Sequence, residues 1–284
     1  MVNVFDGKKF TQKKERELTK DFSQLPVKRQ RLRLVDILLG ENPAANLYVN
    51  LKKQVAQRVG INFEIIKLPQ GFSKKKLFAL VQKLNRDKEV GGVMFQLPLL
   101  GLSKKDQLEI INVINFRKDV DCLTSQNLGR LMSGGSSFLP ATVEAIIQIL
   151  NHTEAGNHNL LGKKIVIVGR SNIVGKPLAV FLINQGATVT VCHHQTKELI
   201  RYTKTAEILI SATGKHNLIN KDMVSSGVVV IDVGSPKGDV DFGQVKERSD
   251  FITPVPGGVG PVTIVCLLNN FIKLLKYDKS TFGL

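Results

Sequence analysis

The chain has 284 residues, 43% of them hydrophobic, with 40 Lys and Arg against 24 Asp and Glu and a formal charge of +16. That suffices for two modest domains with an ample core, while no apolar run nears the roughly 20 residues of a membrane span and the N-terminal MVNVFDGKKF lacks a secretion signal's apolar stretch. The lysines are spread along the whole chain with no nucleic-acid motif and no Trp for base stacking, so the charge reads as a solvated surface before a nucleic-acid face, and steering of small anionic substrates is a third reading.

In chain order, residues 31–39 read as a strand and 43–59 as a helix with apolar Leu47, Leu51 and Val55. Residues 61–68 follow as a strand, and Ser73 caps a helix running to about Asn85. A buried strand over 90–97 ends in Gln96-Leu97-Pro98, then come a short helix over about 104–112, a polar loop over 117–124 and a Ser/Gly-rich joint at 133–137. A helix over about 139–150 bridges into the second half.

There the stretch from Lys163 to His194 reads KKIVIVGRSNIVGKPLAVFLINQGATVTVCHH. It is strand, tight turn, helix, strand, the unit that sets a pyrophosphate against a helix N-terminus. The turn departs from G-x-G-x-x-G: the middle glycine is Ser171 and the last has moved to Gly175. The second strand ends in Cys192-His193-His194, where an NAD site usually carries an acid for the ribose hydroxyl. With Arg170 in the turn and no carboxylate opposite, NADP is expected, with NAD less favoured.

Two more strands, 206–211 and 228–233, end in turns at Thr213-Gly214 and Asp232-Val233-Gly234, where a doubly wound sheet lines its ligand crevice. A last helix begins near Thr263. The whole reads as α/β with two lobes and a cleft between them. The expected domains are an N-terminal α/β catalytic domain over 1–140, with the helix over 263–284 returning to it, and a Rossmann-like parallel-sheet dinucleotide-binding domain over 141–262.

Several residues invite chemistry. Tyr48 and Lys52 are four apart and share a helix face. Either Tyr48 packs and Lys52 is one more solvated lysine, or an aromatic stacks on a ring beside an amine that handles protons. Gln96 is satisfied by backbone or points into the cleft. Asp119 and Asp121, in KDVDC, cap a turn or accept parallel N–H bonds from a heterocycle. PVPGGVGP, with Pro256, Gly257 and Gly258, combines stiffness with close backbone approach and suits ligand binding. An adjacent His193-His194 pair on an extended strand points its rings to opposite faces, so no metal site is expected. Cys122, Cys192 and Cys266 form no C-x-x-C pair and fit a reducing cytoplasm.

Seven stretches, in order, are similar to one family: YVNLKKQ at 48–54, VMFQLPL at 93–99, KDVD at 118–121, VGRSNIVGKPLA at 168–179, DVG at 232–234, GDVDF at 238–242 and TPVPGGVGP at 253–261. The chain resembles the bifunctional methylenetetrahydrofolate dehydrogenase/methenyltetrahydrofolate cyclohydrolases. The resemblance implies NADP-dependent oxidation of 5,10-methylenetetrahydrofolate to the methenyl compound, then hydrolysis to 10-formyltetrahydrofolate. It gives Lys52 the proton handling in hydrolysis and Gln96 the tuning of that lysine. Asp121 would grip the pterin's amino-oxo edge and Tyr48 stack on the folate. Leu97, Pro98, Pro256, Gly257 and Gly258 are the further substrate contacts. Gly169, Arg170, Ser171, Ile173, His194, Thr213, Gly214, Asp232, Gly234 and Ser235 form the cofactor site.

A cytoplasmic homodimer acting on tetrahydrofolate derivatives, polyglutamylated ones included, and feeding purine biosynthesis is the further implication, with neither nucleic acid nor membrane as partner. The family usually has Lys at Gln54, Gly at Cys122, Ser at His194 and Ile at Ser235, and P-C-T-P-x-G where this chain has residues 140–145. The rival readings are a monofunctional or NAD-using relative, and a basic nucleic-acid-binding protein on a Rossmann scaffold.

Overall fold

A computed structural model of the chain describes residues 2–40, 42–135, 138–153 and 160–276. Two of the residues expected to form the flexible joint, Ser136 and Ser137, and the end of the helix expected over 263–284 lie outside them. The elements of the first half are β1 (Asn3–Val4), α1 (Gly7–Ser23), α2 (Val27–Gln30), β2 (Arg33–Leu39), α3 (Pro43–Val59), β3 (Asn62–Leu68), α4 (Lys74–Arg86), β4 (Val90–Gln96), α5 (Lys104–Ile111) and α6 (Ser125–Met132). The second half supplies α7 (Ala141–Leu150), β5 (Lys164–Val168), α8 (Gly175–Asn184), β6 (Thr188–Cys192), α9 (Leu199–Thr203), β7 (Ile208–Ser211), β8 (Val228–Asp232), α10 (Phe242–Lys246), β9 (Ser249–Ile252) and α11 (Val259–Lys276). They group into two compact units, Met1–Thr11 with Arg130–Thr263 and Gln12–Gly129 with Ile264–Leu284.

The second of these units is built on a parallel sheet in the order β3-β2-β4. Its central strand, β2, is buried along almost its whole length, as a parallel strand covered on both faces must be. Val35, Ile37 and Leu39 on one face pack with Leu77, Val81 and Leu84 of α4 and with Val93 and Phe95 of β4. Asn42 opens α3 by accepting from the Ala44 and Ala45 amides, and Gly60 closes it at φ 95°. The buried stripe of α3 is Ala45, Val49, Lys52, Val55, Ala56 and Val59. The stripe expected through Leu47 and Leu51 is instead 63% and 40% exposed at those positions.

α11 is long and apolar enough to cross a membrane by length and composition, but 67% of it is buried inside the protein. Two glycines of β4 make room for it. A Cβ on Gly91 would lie 2.8 Å from Leu275, and one on Gly92 would lie 2.8 Å from Phe271 and run into Val120. Asn270 fastens the same helix by donating to the Val120 carbonyl at 3.0 Å.

The other unit carries a six-stranded parallel sheet ordered β1-β9-β8-β7-β5-β6. Two of its strands, β1 and β9, escape the sequence reading because they are short and defined only by pairing, Asn3 with Phe251 and Val4 with Ile252. This pairing draws the first residues of the chain into the unit of the six-stranded sheet. α1 carries no clear apolar period either, since dense charge surrounds its few buried apolar anchors, Phe10, Leu18 and Phe22. α11 starts at Val259, four residues before the expected start, because Pro261 falls in the first helical turn, where no N–H is required.

Candidate active site

Sheet register sets the first group of residues. Asp36 of β2 pairs with Met94 of β4, and Gln96 lies two residues beyond Met94. Since side chains alternate along a strand, Asp36 and Gln96 share one face of the sheet. Lys52 reaches both from α3: its Nζ donates to Gln96 Oε1 at 2.8 Å and to Asp36 Oδ2 at 3.0 Å. Lys52 is only 4% exposed, so it is not one solvated lysine among many. Its Nζ also lies 5.2 Å from the centroid of the half-buried Tyr48 ring, a cation–π distance.

Asp36 is the residue that sequence reasoning missed. It is completely buried, its Oδ1 has no hydrogen-bond partner among the described residues, and burial pushes its carboxyl up while Lys52 pulls against that shift. The available signal was a lone acid inside the apolar run LVDILL. A second clue was that Lys52 falls in register with the small apolar residues Ala45, Val49, Ala56 and Val59.

Gln96 accepts from Lys52 through its carbonyl and donates its amide to the Leu97 carbonyl at 3.2 Å, so backbone satisfies one half of the side chain. Leu97 and Pro98 follow directly, through a cis peptide. The loop after α5 is held to β4 by a bridge between Val93 and Asp119.

The two loop carboxylates divide their roles. Asp119 accepts from the Thr124 amide at 2.8 Å, the Leu123 amide at 3.2 Å and Asn127 Nδ2 at 2.9 Å, so it caps the turn. Asp121 has no such partner among the described residues. Burial pushes its carboxyl up to about 7, Lys52 opposes the shift, and Asp119 and Asp36 add to it. Directly after Asp121, Cys122 sits at φ 56°, a left-handed conformation that glycine adopts without strain.

The dinucleotide turn sits at the end of β5. Gly169 has φ 128°, and a Cβ there would strike the Ala212 carbonyl. A Cβ on Gly175 would strike the Gly169 carbonyl in turn. Ser171, in the position of the missing middle glycine, accepts from the Val174 amide at 3.1 Å and the Gly175 amide at 3.4 Å, so its hydroxyl organises the start of α8. The exposed Arg170 donates to Gln195 at 3.3 Å, and Ile173 is exposed nearby in sequence.

β6 stops at Cys192, so the two histidines lie beyond the strand rather than on it. Their rings meet edge-on at 5.9 Å instead of facing apart. The His193 imidazole is held below its usual range by desolvation and by the neighbouring Arg170 and His194. No group of three or more His, Cys, Asp or Glu residues that could hold a metal occurs among the described residues.

The remaining strand ends are tied together by two buried acids. Asp239 accepts from Ser211 Oγ at 3.0 Å and from the Thr213 amide at 2.6 Å, beside Gly214 at φ 70°. Asp232 accepts from the amides of Gly234, Asp239 and Val240 at 2.8–3.0 Å. Both oxygens of Asp232 are therefore committed to shaping the loop that presents Gly234 and the exposed Ser235. In the same unit Gly257, at φ 103°, and Pro256 are exposed, whereas Gly258 is buried where a Cβ would lie 3.0 Å from Thr253.

A glycine turn on a doubly wound parallel sheet, and a buried amine held by a carboxylate and an amide on a second parallel sheet, define a two-domain α/β enzyme of the dinucleotide-using class. Residues 5–121 match the tetrahydrofolate dehydrogenase/cyclohydrolase catalytic domain, and residues 140–279 match that family's NAD(P)-binding domain. The chain belongs to the tetrahydrofolate dehydrogenase/cyclohydrolase family.

It is similar to the Bifunctional protein FolD of Bacillus subtilis, 40% identical over 283 residues that span 97% of this chain and 98% of the relative. Among solved structures it is similar to the bifunctional FolD methylenetetrahydrofolate dehydrogenase/cyclohydrolase of Campylobacter jejuni (TM-score 0.90, 41% identity, 97% of this chain and 99% of the other). The methylenetetrahydrofolate dehydrogenase-cyclohydrolase of Trypanosoma brucei, complexed with NADP cofactor and inhibitor, is similar at TM-score 0.89 and 31% identity, over 97% of each chain.

Proposed function

We propose that this protein is the bifunctional one-carbon folate enzyme of its family. It oxidises 5,10-methylenetetrahydrofolate with NADP to the methenyl cation, then adds water to that cation to give 10-formyltetrahydrofolate and a proton. The observation that carries the reading is the buried Lys52 amine held between Gln96 and Asp36, in a chain that also has the glycine turn of a dinucleotide site.

The turn fits the cofactor. Gly169 and Gly175 allow backbone approaches that a Cβ would block, Arg170 offers an exposed cation, and no acid stands at the end of β6 to repel a 2′-phosphate. Gly169, Arg170, Ser171, Ile173 and His194 would hold NADP together with the strand-end turns at Thr213-Gly214 and Asp232-Gly234-Ser235. When bound, NADP supplies the oxidising equivalent by accepting a hydride from the bridging methylene carbon. The protein's part in that step is positioning rather than proton transfer.

In the hydrolytic step Lys52 handles the proton of the attacking water and Gln96 fixes the amine that does so. The Tyr48 ring stacks on the folate, and Leu97, Pro98, Pro256, Gly257 and Gly258 complete the substrate contacts. Asp121, free of protein hydrogen bonds among the described residues, accepts N–H groups from the pterin edge in its ionised form. Because its carboxyl titrates near 7, folate binding weakens as the pH falls through that value.

The surplus of basic residues suits anionic polyglutamate tails. A cytoplasmic homodimer supplying formyl groups to purine biosynthesis completes the reading, and sedimentation of the purified protein tests the dimer. The direct test is turnover of methylenetetrahydrofolate with NADP and with NAD in parallel, followed at the methenyl absorption in the near ultraviolet. Turnover with NAD alone would favour an NAD-using relative, and accumulation of methenyl compound without hydrolysis would favour a monofunctional one.

A further inference from the structure

Asp36 lies within a strand whose other residues after Arg33 are all apolar, and it is completely buried. A carboxylate kept there only for stability would have both oxygens satisfied, and an apolar residue would suit the strand better. Here Oδ1 has no partner among the described residues, while Oδ2 is committed to the Lys52 amine at 3.0 Å. An ammonium has three N–H donors in a tetrahedral fan. Asp36 and Gln96 take two of them, at 3.0 and 2.8 Å, which fixes the amine's position and leaves one direction for water or substrate.

We propose that Asp36 is a positioning residue for the hydrolytic half-reaction, acting through Lys52: it clamps the amine against Gln96 and is the internal charge partner with which that amine exchanges protons. The proposal rests on the cyclohydrolase reading above and extends it to a residue outside the expected site. The carboxylate and the amine are 3.0 Å apart, so replacing Asp36 changes the field at the amine and with it the pH dependence of hydrolysis. The other charged and titratable groups around the pair are Asp121, with Asp119 beside it in the loop after α5, and Tyr48 on α3.

The test compares the parent protein with Asp36→Asn and Asp36→Val, the second chosen because valine suits a buried strand. Melting curves show that each variant folds. Hydrolysis of methenyltetrahydrofolate is then followed from pH 6 to 9, beside NADP-dependent oxidation of methylenetetrahydrofolate.

The expected result is a fall in hydrolytic kcat of about tenfold or more, with KM changed less than about threefold, as loss of a general acid–base contribution predicts. The ratio of hydrolysis to oxidation falls with it, and the pH profile moves. Asp36→Glu, which restores the charge, recovers part of the rate and moves the profile back. Variants that hydrolyse at the parent rate with the parent profile would overturn the proposal. So would equal losses in both activities with an unmoved profile, the mark of a merely structural pair. A parent protein that turns over methylenetetrahydrofolate but never hydrolyses the product would overturn the bifunctional reading and this proposal together.

Discussion

The folate side and the cofactor side of this protein are made from different materials. The first is assembled from side chains of four separate segments, the buried Asp36 on β2 and Lys52 on α3 with the half-buried Gln96 on β4 and Asp121 in a loop, and it is charged. The second is largely one continuous turn, residues 168 to 177, whose working parts are backbone and the absence of Cβ atoms. A buried charge cluster is intolerant of losing one member, since the remaining charge is left without compensation. A backbone turn tolerates side-chain exchange, as Ser171 in place of a glycine shows, but not added bulk at its two glycines. The contrast predicts where substitutions act and how strongly.

The largest effect belongs to Lys52→Met. Removing the amine should lower methenyltetrahydrofolate hydrolysis about 10³-fold, the scale of a lost general acid–base group, with a much smaller change in oxidation. It also strips Asp36 of its only hydrogen-bond partner among the described residues. The carboxyl already has a raised affinity for its proton. In the variant the folded state therefore binds more protons than the unfolded chain over the range in which Asp36 titrates, and stability falls as the pH rises. Melting curves across pH check this second expectation, and an unchanged pH slope would show that the two groups are not coupled.

Asp121→Asn comes next. An amide cannot accept two parallel N–H bonds, so the KM for the folate should rise by a factor of about 30, from the roughly 2 kcal/mol of a charged hydrogen-bonding pair. The same exchange should stabilise the protein. With a carboxyl titrating near 7 in the folded state and near 4 when unfolded, native Asp121 makes folding less favourable as the pH rises from about 4 to 7. The asparagine variant escapes that loss, worth roughly 2 kcal/mol at pH 8 once partial solvent contact is allowed for. A higher melting temperature above pH 7, vanishing near pH 4, is the expected signature.

How well each side could be read from the sequence follows the same division. The strand, turn, helix and strand from Lys164 to Cys192 were legible because every determinant is local: β-branched runs, a glycine turn and Pro177 in the first helical turn. The folate side depends on sheet register, which brings Asp36 beside Gln96 across sixty residues of chain. A single sequence carries no direct record of that pairing, so Lys52 and Gln96 were each ambiguous by themselves and Asp36 went unnoticed. β1 and β9 were missed for the same reason, while α1 was obscured by its charge. Lys52 itself left a local trace, its place in the small-residue stripe of α3, which the more hydrophobic Leu47 and Leu51 outweighed.

On the cofactor side, Gly175→Val should act through sterics alone. The new side chain would run into the Gly169 carbonyl, and overpacking of this kind costs about 1–3 kcal/mol. NADP and NAD affinity should then fall together by about tenfold or more, because the obstruction lies in the turn that both share. Isothermal titration with each nucleotide measures this, and a drop confined to one of them would mean that the turn is not common to both.

The smallest effect tests whether any side chain on the cofactor side carries specificity. Arg170 is exposed and, among the described residues, held by one long bond to Gln195 at 3.3 Å, so its guanidinium is available to a 2′-phosphate at little cost. Exposed charge pairs are weak and screened by salt, which limits Arg170→Ala to a loss of about tenfold or less in NADP affinity. The informative readout is the ratio of NADP to NAD affinity, since NAD lacks the phosphate and should lose much less. That ratio should also shrink toward the variant's value when the parent is assayed at high ionic strength. If neither the substitution nor salt moves it, the preference resides in the backbone turn and the histidines after β6, and the cofactor side is still less dependent on side-chain charge than its contrast with the Lys52 site implies.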